Sequence, residues 1–139
     1  MNRRQARELA FSLLFEHEFD KERTARELYD TAKAAREEEE NKYVRGVLAG
    51  VLEHEAELDT AIADAAKGWS LSRISKVSVA ILKLCTYEML FCKDIPIRVS
   101  LNEAIELVKR YDEESARSFV NGILNTLAVT AREGRPDEE

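Results

Sequence analysis

Residues 95–127 read IPIRVSLNEAIELVKRYDEESARSFVNGILNTL, two amphipathic stretches around a short polar break. Pro96 lacks an amide hydrogen and restricts the residue before it, so Ile95 to Val99 reads as an extended approach to a helix. Ser100 supplies an N-cap oxygen and Glu103, three residues on, can reach back to the Ser100 amide, the reciprocal pattern of a capping box. Leu101, Ala104, Ile105 and Val108 then fall on one helical face. After the break a second helix carries Phe119-Val120-Asn121-Gly122. A glycine inside a helix costs about 1 kcal/mol relative to alanine, so Gly122 predicts close approach of a neighbouring helix.

Working outward, Val77 to Cys92 is apolar around most of its circumference, as a central helix packed on several sides would be. Arg3 to Phe19 shows helical periodicity with Ala6, Leu9, Ala10, Leu13 and Leu14 inward. Residues 24–36 form a weaker helix that runs into the acid block Glu37 to Glu40. Tyr43, Val44, Val47, Leu48 and Val51 continue as a third, in which Gly46 and Gly50 predict close approach of a neighbour. Leu58, Ile62, Ala65 and Ala66 follow as a fourth. Gly68 and the serines at 70, 72, 75 and 78 provide a break and caps. Strand-like alternation is missing and the loops are short, so the pattern predicts an all-α bundle of six or seven helices.

The chain has 139 residues, a length that suits one domain with a real core. Five glycines and two prolines, one of them in the tail, permit long helices almost everywhere. The run Val77 to Cys92 is too short to span a membrane and carries Lys83 and Glu88. The arginine-rich start leads into an amphipathic pattern rather than an apolar signal region, so the expected location is the cytoplasm. Cys85 and Cys92, seven apart on one helix and so roughly 10 Å along its axis, are out of disulfide reach and read as core thiols. His17 and His54 form no ligand-spaced cluster with them, so neither a metal nor another cofactor is expected. A glycine-rich phosphate loop, a nucleophile elbow and an activated Cys/His pair are all missing from the sequence, and an enzyme is the least supported class.

The formal charge of −6 misleads about nucleic acid. Residues 20–59 hold 7 basic and 12 acidic side chains, and the last eight residues add −2, leaving +1 elsewhere. Phosphate attraction is local, screened within about 10 Å, so the placement of the cations decides. At 100° per residue Arg3, Arg4 and Arg7 fall within an arc of roughly 100° that includes Phe11, a cationic edge bordering the core. The same edge also reads as an ordinary solvated face paired to Glu8 or Asp20.

The motifs Asn102-Glu103-Ala104 and Phe119-Val120-Asn121-Gly122, with Arg3-Arg4-Gln5-Ala6-Arg7-Glu8, Leu14-Phe15, Trp69-Ser70-Leu71, Ile74-Ser75-Lys76-Val77, Ile81-Leu82-Lys83 and Tyr87-Glu88, stand in an order and spacing that closely resembles the NusB family of transcription antitermination factors. The resemblance covers nearly the whole chain. It departs at Phe15, where a tyrosine is usual, at Lys83, where arginine is usual, and at Ser78, near which an acid is common. It implies a single domain over residues 1–131, built as two packed helical subbundles with a boundary near residues 66–76, and a flexible tail over 132–139.

The resemblance also implies a function. Family members bind boxA RNA of the nascent transcript together with NusE, a ribosomal protein that doubles as an antitermination factor. With other Nus factors they assemble on RNA polymerase, chiefly at ribosomal RNA operons. Arginine forks grip phosphates, and splayed bases stack on aromatic rings. Arg3, Arg4 and Arg7 are the expected RNA-binding cations. Ser115 and Phe119 match the family's contacts at the start of the last helix, and Phe119 reads equally as core. Lys83 reads as a phosphate contact or as a snorkelling side chain. Phe15, Ser72, Arg73 and Ser78 match the partner-binding surface. Some family members self-associate, so a homodimer is a further expectation to weigh. The alternative reading is a helical protein-interaction adaptor with little RNA binding.

Overall fold

A computed structural model describes residues 1–36, 40–69 and 74–138. They form seven helices and, among the described residues, no strand: α1 (Arg3–Phe19), α2 (Ala25–Arg36), α3 (Lys42–Glu53), α4 (Glu55–Ala65), α5 (Lys76–Phe91), α6 (Ile97–Tyr111) and α7 (Glu114–Glu133). Local capping starts four of them. Asn2 accepts the Gln5 amide at 2.8 Å and Gln5 returns the bond at 2.9 Å. Thr24 and Glu27 make the same reciprocal pair ahead of α2. Asn41 caps α3 and Ser75 caps α5, each at 3.0 Å. These oxygens satisfy amides that have no partner inside the helix.

The capping box expected at Ser100 does not form. Helix α6 starts three residues earlier, at Ile97, and Ser100 is buried in its first turn. Its hydroxyl donates to Glu88 Oε1 at 2.7 Å, and Glu103 pairs with Arg4 instead of turning back to its own backbone. The cap comes from far away: the Ile97 amide donates to the Glu138 carboxylate. Beside it, the Arg135 guanidinium donates to the carbonyls of Glu88 (3.1 Å), Met89 (2.7 Å), Cys92 (3.1 Å) and Ile95 (2.7 Å). A cation thus closes the negative end of α5 and an anion the positive start of α6. Both of these residues come from the segment that follows α7.

Helix α5 is the hub, packed on α1, α3, α4, α6 and α7. Leu14, Leu48, Leu58, Ile81, Leu82 and Ile123 are fully buried around it. Helices α1 to α3 pack on one another, while α4 packs chiefly on α5 and α7. Gly68, with φ at +92°, stands in the turn that follows α4. The glycine contacts are made by aromatic side chains. A Cβ on Gly50 would collide with the Tyr87 ring, and one on Gly122 would stand 3.2 Å from the Trp69 ring, whereas Gly46 faces open space. Cys85 is buried and Cys92 half-buried, both as free thiols.

Two pairs of contacts fix directions. Arg7 meets Glu88 near the end of α5 and Lys76 reaches the Glu18 carbonyl near its start, so α1 runs antiparallel to α5. Arg4 meets Glu103 and Glu8 meets Arg110, so α1 runs alongside α6 in the same sense.

Candidate nucleic-acid interface

The first turn of α1 carries Arg3 and Arg4 and no acid, so two guanidiniums share the positive end of a helix. Both are exposed. Arg4, with 65% of its side chain accessible, donates to Glu103 Oε1 through Nη2 at 3.2 Å. The Arg3 guanidinium lies over the Tyr43 ring, 4.4 Å from its centroid.

Arg7 is different. It is 5% exposed and holds Glu88 through two bonds, Nε to Oε2 at 2.8 Å and Nη2 to Oε1 at 3.1 Å. The Tyr43 and Ser100 hydroxyls donate to the same carboxylate. Four elements, α1, α3, α5 and α6, thus converge on one buried anion whose acceptor sites are filled, the condition under which a buried charge is tolerated. Burial and the Glu88 charge beside it push the Tyr43 hydroxyl well above the ordinary tyrosine range. Arg7 therefore leaves the exposed cation set: its fork is spent on Glu88.

Lys83 is enclosed in the same way. It is 3% exposed and its ammonium donates to Glu18 at 2.9 Å and Glu55 at 2.7 Å, with Asp59 at 3.5 Å. It neither snorkels to solvent nor offers a donor to phosphate. His17 Nε2 stands 2.9 Å from the same Glu55 oxygen. Burial works against the charge on Glu55, but the Lys83 ammonium and His17 outweigh it and hold the carboxyl down at about 2. Glu18 and Glu55 likewise raise Lys83 above its usual range against the effect of burial. His17, Glu18 and Glu55 bring ligand-type atoms within 4.8 Å of one another, and Lys83 stands among them as the cation.

Ser115 and Phe119 lie toward the other end of the bundle. The Ser78 hydroxyl donates to Asp112, just ahead of α7, whereas Arg7 meets Glu88 ten residues further along α5, about 15 Å by helical rise. Ser115 is exposed, and Phe119 is half-buried with its ring 6.0 Å from that of Trp69. No contact among the described residues joins these two to Arg3 or Arg4; they share a molecule, not a pocket.

Of the expected partner-binding residues, Ser72 and Arg73 lie outside the described residues, as do Glu37 to Glu39 of the acid block. Ser78 is fully buried, bonded to Ser75 and Asp112, so its side chain presents nothing to a partner. Phe15 is half-buried in an aromatic row: Tyr111 to Phe11 at 5.1 Å, Phe11 to Phe15 at 6.4 Å, Phe15 to Phe19 at 5.0 Å. Phe19 is 64% exposed and Lys76 lies over its ring at 5.1 Å. Reading the sequence missed Tyr43, Glu88 and Glu103 as parts of the cationic site. Their helical spacing marks them only as core or surface, and their partners stand on other helices.

The model of the NusB family matches residues 4–129. The chain is 40% identical to the transcription antitermination protein NusB of Clostridium acetobutylicum over 138 residues, covering 96% of this chain and 99% of that one. It is 42% identical to that of Acetivibrio thermocellus over 128 residues, covering 91% and 88%. Among solved structures it is similar to T. maritima NusB, with 36% identity, a TM-score of 0.78 and 93% and 92% of the two chains covered. It is similar also to a chain in a crystal structure of antitermination factors NusB and NusE in complex with double-stranded RNA, at 25% identity, a TM-score of 0.79, and 92% and 96% coverage. With seven helices in the same arrangement and a match along almost its full length, this chain belongs to the NusB family of transcription antitermination factors.

Proposed function

We propose that this protein binds boxA-type single-stranded RNA together with NusE, and that the pair helps assemble an antitermination complex with other Nus factors on RNA polymerase in the cytoplasm, chiefly at ribosomal RNA operons. It acts by tethering, without chemistry of its own. The observation that carries this reading is the exposed Arg3 and Arg4 at the positive end of α1, where helix dipole and side chains attract phosphate together. Ser115 and Phe119, on α7 and toward the other end of the bundle, supply a second contact for an extended strand. Phe119 offers the exposed part of its ring for stacking. Arg7 and Lys83 support the site from inside: Arg7 anchors α1 on Glu88, and Lys83 ties the far end of α1 to α4. The aromatic row around Phe15, with Phe19 and Lys76, is the surface we assign to NusE; Ser72 and Arg73 belong to that assignment on the family resemblance alone.

The test is fluorescence anisotropy of a labelled boxA strand against a scrambled strand and a duplex, with and without NusE. The reading expects preference for boxA, strengthened by NusE. Equal affinity for boxA and scrambled RNA even with NusE would instead favour a helical adaptor with little RNA binding. The burial of Arg7 and Lys83, which removes two expected phosphate contacts, is the observation on that side. Sizing of the free protein tells whether a homodimer covers the cationic end.

A further inference from the structure

Tyr43 comes from α3, outside every element that the RNA reading uses, yet it touches the cationic site twice. Its ring lies under the Arg3 guanidinium at 4.4 Å and stands 5.6 Å from the Arg7 guanidinium. Its hydroxyl donates to Glu88, the carboxylate that Arg7 and Ser100 also hold. The ring is thus fixed at its far end by a saturated buried network and offers a face to the first residue of α1.

The consequences for Arg3 follow from its chemistry. A free arginine side chain samples many rotamers and must be ordered when it grips a phosphate, which weakens binding. A guanidinium lying over an aromatic face is attracted by the ring quadrupole and restricted in place. Its N–H donors lie in its own plane, so the stack leaves them directed outward for a two-pronged grip on phosphate oxygens. Arg4 lacks this freedom, since its fork is shared with the Glu103 carboxylate. The two neighbouring arginines are therefore unequal: one rests on a neutral surface with its donors free of any described acceptor, the other is partly neutralised.

We propose that Tyr43 is a positioning residue of the RNA site, its ring holding Arg3 as a preset phosphate fork by stacking from below. This deepens the RNA-binding reading and rests on it. The role belongs to the ring and not to the hydroxyl, which separates it from a plain contribution to stability.

The experiment measures boxA affinity in the presence of NusE across a salt series for wild type, Tyr43→Leu, Tyr43→Phe, Arg3→Ala and the Arg3→Ala/Tyr43→Leu double variant. Tyr43→Leu is expected to weaken binding roughly two- to fivefold. The double variant should bind no worse than Arg3→Ala, because the ring acts only through Arg3. Tyr43→Phe keeps the ring and should bind like wild type, although it melts earlier. In NMR spectra the Arg3 methylene protons should be shifted upfield by the ring in wild type and Tyr43→Phe and return to ordinary positions in Tyr43→Leu. Binding unchanged in Tyr43→Leu, or losses that add fully in the double variant, overturns the positioning role while leaving RNA binding intact. Should Tyr43→Leu not fold, Arg3 resonances of the wild type at unshifted positions overturn it by themselves. A wild type that does not distinguish boxA from scrambled RNA removes the premise and overturns both readings, an outcome told apart because it appears before any substitution is made.

Discussion

Arg7 and Glu88, 81 positions apart in sequence, meet in the core through two parallel hydrogen bonds at 2.8 and 3.1 Å, and α1, α3 and α6 are all attached to the bundle through that pair. Replacing Glu88 by Gln leaves the Arg7 charge buried without its hydrogen-bonded counter-ion, with only Glu103 at 3.9 Å. The expected loss is about 3–5 kcal/mol of stability, against about 1.5–3 kcal/mol for Ser100→Ala, which removes one donor to the charge. Urea denaturation of the two variants checks the order; equal, small losses would show that water reaches the network and relieves it.

The four expected cations should separate into two kinds under a salt titration of RNA binding. On the proposed reading Arg3→Ala and Arg4→Ala each remove an exposed phosphate contact and should lower the slope of log affinity against log salt by about one. Lys83→Met should leave the slope as it is and lower the melting temperature, since its ammonium faces Glu18 and Glu55. A reduced slope in Lys83→Met would put that side chain on the RNA.

On the proposed reading Glu103 competes with phosphate for Arg4, at 3.2 Å in a pair whose arginine is exposed and whose carboxylate is half-buried. Such pairs contribute about 0.2–1 kcal/mol, so Glu103→Gln should tighten RNA binding by up to about fivefold, for scrambled strands as much as for boxA. Anisotropy on both strands decides it, and weaker binding would mean that the carboxylate reads a base.

Acid should act on the Lys83 cluster. Glu55 titrates at about 2 in the folded protein against 4.5 when unperturbed. A depressed carboxyl contributes stability in full above its unfolded value and loses it as pH falls from about 4.5 toward 2. Melting curves of wild type and Glu55→Gln should therefore be well separated at pH 6 and draw together by pH 2. A constant gap across that window would assign the stabilisation to packing.

Arg135 and Glu138 supply caps that α5 and α6 do not make for themselves. Arg135→Ala leaves carbonyls of Glu88, Met89, Cys92 and Ile95 without this charged donor, and should cost about 1.5–3 kcal/mol. Hydrogen exchange should quicken at the α5–α6 elbow, around residues 88–97, and not at the N-terminus of α5. Unchanged exchange there would mean that water replaces the guanidinium.

Much of the fold was legible because helices announce themselves locally. The inward stripe of α1, the all-round apolar face of α5 and the Ser75 cap follow from a 3.6-residue period and from short polar side chains that bond nearby amides. Ser100 misled for the same reason. Its spacing to Glu103 is that of a capping box, but Glu88 on the antiparallel neighbour is a better acceptor, and Glu138, 41 positions from Ile97, caps the helix instead. Gly50 announced the close approach of α5, made through the Tyr87 ring; at Gly122, where a helix was expected, the neighbour is the Trp69 ring from outside the helices.

The candidate site was legible in composition and not in role. Residue order placed Arg3, Arg4 and Arg7 on one edge, and the motif pattern carried the family; both depend only on neighbours in sequence. Which arginine faces solvent, which cation is enclosed by carboxylates and which ring supports a guanidinium were decided by tertiary structure. The energy of a charge depends on what stands within a few ångströms and on how far water is excluded, and for Arg7 and Lys83 those surroundings come from 81 and 65 residues away.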